Sequence, residues 1–302
     1  MKNKLSQLGE FGLISLIRKN VHSTKDVLLG IGDDTAVLSA QGSCHQLFTT
    51  DMLLEDVHFT RRTNARAIGH KALACNISDI AAMGGLPSAV VISIGLPAGL
   101  EINFVKEIYR GINALAKRFS VAIVGGDTVR SEKIIINIAL LGWVKKKELV
   151  TRSGAQAGDM IFVTGKLGRS LETGKHLSFT PRVAESQFLV KHFLPTAMID
   201  ISDGLSADLG HILKESRVGA YLWEEKIPKT KGATLSQALS DGEDFELLFT
   251  VSQKMGKQLM RRWKDQFRFY HIGEILGSPK KLTLLDEAGK EIKLKLSGYK
   301  HF

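Results

Sequence analysis

Aspartate recurs in this chain beside glycine, threonine and short apolar runs. Asp33-Asp34 follows Gly30-Ile31-Gly32, Asp51 follows Thr49-Thr50, Asp127 follows Gly125-Gly126, and Asp200 and Asp203 flank Ile201-Ser202. Asp79 stands three residues after Asn76, on the same face of a helix if that segment is helical. Carboxylates are hard oxygen ligands, and Mg²⁺ uses a few of them together with water and substrate phosphates. Alone they repel a nucleotide; bridged by cations they become a phosphate-binding surface. The Asp33-Asp34 pair carries like-charge repulsion that a cation relieves. Gly125-Gly126-Asp127-Thr128 lets a backbone approach a phosphate closely. Any single aspartate serves equally well as a turn or helix cap. Spacing by itself therefore carries the set as far as metal-dependent phosphate chemistry.

Other nucleotide signatures are missing. No Gly-Lys-Ser/Thr closes a phosphate loop, Gly30-Ile31-Gly32 lacks the third glycine of a dinucleotide fingerprint, and there is no His-Arg-Asp with Asp-Phe-Gly. His and Cys do not cluster at zinc spacings. Further residues could meet a ligand or serve the fold. Arg152 suits a triphosphate by bidentate bonding. Tyr109 lies one step off an apolar helix stripe, facing a base or packing in the core. His58, in the alternation Val57-His58-Phe59, points away from its apolar neighbours if the stretch is a strand. Glu243-Asp244 can meet a ligand, cap a helix or begin a strand.

The elements that must carry these residues are legible from periodicity. Strand-like runs are Val27–Ile31, Gln46–Thr50, Ala89–Gly95, Val121–Val124, Ile134–Val144, Met160–Thr164, Ala197–Ile201, Leu247–Val251 and Leu282–Leu285. The aspartates are thus expected at strand exits and short turns. Ile102, Val105, Ile108, Ile112, Leu115 and Phe119 step by three and four, one face of a helix. The Ala-rich Asn64–Met83 also reads as a helix, stopped by Gly84-Gly85-Leu86-Pro87. Met255, Leu259, Trp263 and Phe267 recur every four residues, an inward helix stripe. The mixture is α/β or α+β. A charged run at Lys145–Glu148 and the turn-forming Arg152–Asp159 divide the chain near residue 148, giving parts 1–148 and 149–302.

With 302 residues and 44% hydrophobic content, the chain has ample material for two cores. No secretory signal is visible, and the most apolar run, Ile134–Val144, is too short to span a bilayer. Cys44 and Cys75 are the only cysteines, so no disulfide framework and a cytoplasmic location are expected. The net charge is +10, and Lys254–Phe302 holds twelve Lys/Arg against five Asp/Glu, a net of +7. No nucleic-acid motif accompanies that charge, so it reads as a solvated face; neither nucleic acid nor membrane is an expected partner.

An ordered set of short motifs carries a resemblance. In sequence they are Gly9-Glu10-Phe11, Gly30-Ile31-Gly32-Asp33-Asp34, Thr49-Thr50-Asp51-Met52, Val57-His58-Phe59, Lys71-Ala72-Leu73-Ala74 and Asn76–Gly84. Gly125-Gly126-Asp127-Thr128, Thr151-Arg152-Ser153-Gly154, Asp200–Leu205 and Gly242–Leu247 follow. The chain resembles the thiamine-monophosphate kinases of the aminoimidazole ribonucleotide synthetase-like superfamily. The resemblance implies a two-domain α/β fold, with the N-terminal domains of two subunits pairing into a barrel. Residues 1–148 would bind ATP and Mg²⁺ and dimerise, and 149–302 would complete the site. Asp34, Thr49, Thr50, Asp51, Asp79, Asp127, Asp200 and Asp203 match magnesium positions. Tyr109, Gly126, Asp127, Arg152 and Ser202 match ATP positions; His58, Glu243 and Leu296 match positions facing thiamine monophosphate. The implied reaction is direct in-line transfer from ATP, giving thiamine diphosphate, with several Mg²⁺ ions and no protein base, because the nucleophile is already an anionic phosphate oxygen. Two alternatives are another ATP-using enzyme of the superfamily and a non-catalytic nucleotide- or nucleic-acid-binding protein.

The chain departs from the family pattern in places. Asp56 stands where glycine is usual before Val57-His58-Phe59. Leu167-Gly168-Arg169-Ser170 replaces a Gly-Asp-Ser stretch, and the segment to Val183 is short enough that a helix is expected to be lost. Leu296 replaces an aromatic residue and Lys300 an acidic one.

Overall fold

A computed structural model describes residues 5–262, 267–279, 281–295 and 297–299. The first half holds α1 (Leu5–Leu8), α2 (Glu10–Arg18), β1 (Val27–Leu29), β2 (Ala36–Ser39), β3 (Cys44–Leu54), α3 (Ala65–Ala82), β4 (Leu86–Leu96), α4 (Ile102–Phe119), β5 (Ala122–Arg130) and β6 (Ile135–Lys145). Its strands form one six-stranded sheet in the order β1-β2-β3-β6-β4-β5. Only β4 and β5 pair in parallel, and α4 makes the crossover between them.

α3 and α4 cover one face of this sheet. Ile68, Ile77 and Ile80 of α3 and Ile108, Ile112 and Leu115 of α4 share a core with Val90, Ile92, Ile136 and Ile138 of the strands. Asn64 caps α3 by accepting from the Ala67 amide at 3.1 Å. The two helices meet backbone to backbone: a Cβ on Gly69 would strike the Ile108 carbonyl, and one on Gly111 the Arg66 carbonyl. The opposite face of the sheet is open, with Phe48, Met52, Val91, Val124 and Val129 exposed.

The second half holds β7 (Met160–Val163), α5 (Ser170–Thr173), α6 (Val183–His192), β8 (Ala197–Asp200), α7 (Leu205–Ser216), β9 (Gly219–Trp223), α8 (Leu235–Ser240), β10 (Leu247–Val251), α9 (Gln253–Arg262), β11 (Tyr270–Leu276), β12 (Leu282–Leu285) and β13 (Glu291–Lys293). Its seven strands run β13-β12-β9-β11-β7-β10-β8. β7, β8 and β10 are buried at every position because both faces are covered. The pleat sends Ile161, Val163, Ile199 and Leu248 to a core with Leu205, Leu209 and Ile212 of α7. It sends Phe162, Met198 and Phe249 to a second core with Leu189 of α6 and Leu259 of α9.

Some sequence expectations change. β3 runs through Thr49-Thr50-Asp51 and β5 through Gly125-Gly126-Asp127, so Asp51 and Asp127 lie within strands instead of at their exits. Glycine at position 126 is demanded by the neighbouring strand, since a Cβ there would strike the Ile92 carbonyl of β4. Residues 56–58 form a turn, not a strand. β2, β9, β11 and β13 match none of the strand-like runs in the sequence. Of the Met255 stripe, Met255 and Leu259 pack inward from α9, Phe267 lies beyond the helix, and Trp263 falls outside the described residues. The short 168–182 segment holds only the four-residue α5 and a 3-10 turn at Lys175–Leu177.

Candidate active site

The acidic residues converge where α3 meets the second sheet. Asp34 precedes β2, Asp79 sits near the end of α3, and Asp200 ends β8; one carboxylate oxygen from each lies within 4.8 Å of the others. Thr49 and Asp51, two apart on β3, project from one face of that strand. The Thr49 hydroxyl donates to Asp79 Oδ2 at 2.7 Å and lies 3.3 Å from the Asp34 carbonyl. Ser78 Oγ donates to Asp200 Oδ2 at 2.6 Å. Arg152, in the loop after β6, closes one side: its Nη2 donates to Asp34 Oδ1 at 2.7 Å and its amide to Asp33 Oδ2 at 3.1 Å.

These carboxylates are held under electrostatic stress. Burial, with the Asp34 charge added, pushes Asp200 up to about 8 and Asp33 up to about 7. Burial lifts Asp51 to about 6 even with the Lys71 ammonium opposing it. Burial also raises Asp34 and, more strongly, Asp79, where Asp51 and Asp200 add like charge. Asp34 Oδ2 is buried and accepts no hydrogen bond from any described residue. A hard divalent cation relieves both the repulsion and the orphaned oxygen.

Other expected metal positions lie elsewhere. The Thr50 side chain is turned to the opposite face of β3, where its hydroxyl bonds the Ile138 carbonyl at 2.9 Å. The strand pleat dictates this, because Thr49 and Asp51 face the cluster. Asp127 is exposed on the edge strand β5 and accepts from its own Thr128 amide at 2.8 Å. Asp203 belongs to a second group, with one ligand atom each from Asp203, Asp208 and His211 within 4.8 Å. Asp208 Oδ2 accepts the Asp203 and Gly204 amides at 3.1 and 3.0 Å, fixing the start of α7. Asp208 and His211 were not singled out in the sequence; their three-residue spacing on one helix face was the available signal.

Of the expected ATP positions, Arg152 touches the acidic cluster directly. Ser202 lies in the loop after β8, its carbonyl accepting the Glu243 amide at 2.6 Å. Tyr109 is half-buried against the first core, and burial raises its hydroxyl above the usual range. Gly126 packs on β4 beside Asp127.

His58 and Glu243 meet through a residue not assigned a role from sequence. Lys71, 1% exposed on α3, places Nζ 2.7 and 2.5 Å from the two Glu243 carboxylate oxygens and 3.3 Å from the His58 carbonyl. The His58 ring accepts the Leu54 amide through Nδ1 at 3.0 Å. Glu243 has a left-handed backbone, φ 53. Asp56, where the resemblance implies glycine, is also left-handed, φ 65, and pairs with Lys133 at 3.2 Å. Aspartate tolerates that region better than most residues, which explains how the replacement is accommodated. The short segment before α6 backs the Glu243 loop. Ser170 Oγ donates to the Glu243 carbonyl at 2.6 Å, and Arg182 grips Glu246 at 2.7 and 2.8 Å. Leu296 and Lys300 lie outside the described residues; next to Leu296, the Ser297 amide donates to Ser206 Oγ at 3.2 Å.

Known proteins resemble this chain over most of its length. Residues 32–144 match the family model of AIR synthase related protein, N-terminal domain. The chain is 36% identical to the thiamine-monophosphate kinase of Aquifex aeolicus over 99% of its own length and 100% of the relative's. It is 39% identical to that of Rhodopirellula baltica, covering 80% of this chain and 82% of the relative. Among solved structures, AaThiL complexed with AMPPCP and TMP superposes with a TM-score of 0.88 at 35% identity, covering 100% of both chains. Likeness of this extent, over both halves and at the level of sequence and fold, places the chain in the thiamine-monophosphate kinase family.

Proposed function

We propose that this protein transfers the γ-phosphoryl group of ATP to the phosphate of thiamine monophosphate, giving thiamine diphosphate and ADP. The observation that carries this reading is the partly buried cluster of Asp34, Asp79 and Asp200, drawn from both halves of the chain and fitted to a hard cation. Its side chains would hold Mg²⁺ together with Thr49 and Asp51, with Asp127 and Asp203 serving further ions. Bound there, magnesium neutralises phosphate charge and orients the transferring group.

The protein's own groups position the reactants. Arg152, already beside the cluster, supplies a planar fork of donors for phosphate oxygens. Tyr109, Gly126, Asp127 and Ser202 would line the rest of the nucleotide path. His58 and Glu243, with Leu296, would hold thiamine monophosphate. An anionic phosphate oxygen attacks without deprotonation, so catalysis rests on positioning and charge compensation. This accounts for a site rich in carboxylates with no obvious general base.

Residues 1–148 would form the nucleotide and dimerisation domain, and 149–302 the domain that completes the site. The partner on the open sheet face would be a second copy of the chain. Phe48, Met52, Val91, Val124 and Val129 are 41–65% exposed there, beside the unpaired edge of β5. No described helix is long and apolar enough to cross a membrane. The test is ADP release from Mg-ATP with and without thiamine monophosphate, with identification of thiamine diphosphate. Release that does not depend on that substrate overturns the assignment.

A further inference from the structure

Lys71 is among the largest fully buried side chains described in the molecule. An ammonium is costly to bury unless it is paired and hydrogen-bonded. Its hydrogen-bond partners are both carboxylate oxygens of Glu243 and the carbonyl of His58, and its charge also acts on Asp51. Those two residues come from opposite halves of the chain, and both are assigned above to the phosphoryl acceptor.

The Glu243 side chain is 21% exposed, so its carboxylate is gripped from within by Lys71 and open on its other side. Its backbone occupies the left-handed region, φ 53, and is tied down at both ends, by its amide to the Ser202 carbonyl and by its carbonyl to Ser170. That strain is sustained only where surrounding contacts over-determine the conformation. The main chain is therefore set by the second half, while the direction of the carboxylate is set by Lys71 from the first.

α3 adds a second constraint. Lys71, Cys75 and Asp79 are spaced by four and lie on successive turns of one helix face. Two turns separate Lys71 from Asp79, about 12 Å along the axis. One rigid helix thus carries both the cation that orients the acceptor contacts and a carboxylate of the acidic cluster. Sites built on such elements hold their parts more closely than sites built on loops.

We infer that Lys71 is a positioning residue for the acceptor half of the site, holding Glu243 and the His58 turn in register with the acidic cluster. The inference rests on the proposed reaction, and it adds a residue that acts through Glu243 without itself touching substrate.

The test is steady-state ADP formation by the full chain, with thiamine monophosphate and ATP varied separately, for wild type, Lys71→Met, Glu243→Gln and the double variant. Lys71→Met is expected to raise KM for thiamine monophosphate about tenfold or more while KM for ATP stays within about twofold. The double variant is expected to match Glu243→Gln alone within about twofold, because both changes remove one interaction. An unchanged KM for thiamine monophosphate in Lys71→Met overturns the inference. So does an equal rise in both KM values, which marks a purely structural role. A double variant whose effect is the product of the singles also overturns it, because Lys71 then acts independently of Glu243. If Lys71→Met does not fold, Lys71→Gln carries the same expectation and the same reversal. Wild-type protein without acceptor-dependent ADP release would instead overturn the proposed reaction.

Discussion

Ser78 of α3 and Asp200 at the end of β8 are joined by a 2.6 Å hydrogen bond between side chains 122 positions apart. It is one of the bonds that draw the two sheets onto a common site, and it is the hydrogen bond that opposes the upward push of burial on Asp200. Partners of this kind orient a metal-binding carboxylate and tune its basicity. Replacing Ser78 with Ala is expected to raise the Mg²⁺ concentration for half-maximal activity about tenfold. A Mg²⁺ titration of ADP formation checks this, and an unchanged midpoint counts against a magnesium role for Asp200.

Asp79 and Asp127 separate two contributions. Asp79 is crowded by Asp51, Asp200 and Asp34, whereas Asp127 is exposed on β5. Both Asp→Asn variants are expected to lower turnover by about a hundredfold or more at limiting Mg²⁺. Only Asp79→Asn is expected to stabilise the metal-free protein, by removing a carboxylate that burial and its neighbours disfavour, with a rise in Tm of about 2–4 °C for each kcal/mol relieved. Thermal melts in chelator read the second effect. Wild-type turnover in both variants would remove these two residues from the site.

The raised carboxylates dictate a pH dependence. In the folded metal-free protein Asp33 and Asp200 titrate at about 7 and about 8, against 3.8 for an unperturbed side chain. The folded state therefore holds protons that the unfolded chain has already released, and stability falls as pH rises toward 8. His211 works the other way but at lower pH. Burial pushes it down to about 4 from 6.5, so its contribution is complete once pH exceeds 6.5. Between pH 6.5 and 8, Tm in chelator should fall, and the stabilisation conferred by Mg²⁺ should grow. A Tm in chelator that is flat or rising across that window contradicts the assignment.

The approach of α3 to α4 sets the position of everything α3 carries. A Cβ at Gly111 would lie 2.9 Å from the His70 amide nitrogen and would strike the Arg66 carbonyl. Gly111→Ala gains at most about 1 kcal/mol of helix propensity. Overpacking at such a contact costs about 1–3 kcal/mol. A lower Tm is therefore expected, and a raised one would show that the helices can separate without strain.

Local periodicity determined a good deal. The stepping of Ile102 to Phe119 delimits α4, the Ala-rich run and its glycine stop delimit α3, and β10 and β12 match their apolar runs. The ordered motifs carried the family, which the comparisons bear out. The strands left unread, β2, β9, β11 and β13, are short or carry polar or glycine residues, and they are completed by their neighbours in the sheet.

What the chain could not reveal is which aspartates meet. Asp34, Asp79 and Asp200 come from a loop, a helix and a strand end, and they converge through sheet register and the docking of α3 on the second half. Thr50 is separated from Thr49 by the pleat alone, and Asp127 lies within a strand because it pairs with Ser93 of β4. Lys71, one of several basic residues in an Ala-rich helix, is distinguished by its contacts with Glu243, 172 positions away, and with the His58 carbonyl. Composition and spacing act over one or two turns of chain, whereas a buried charge is defined by the groups that surround it, and those are assembled only by the tertiary fold.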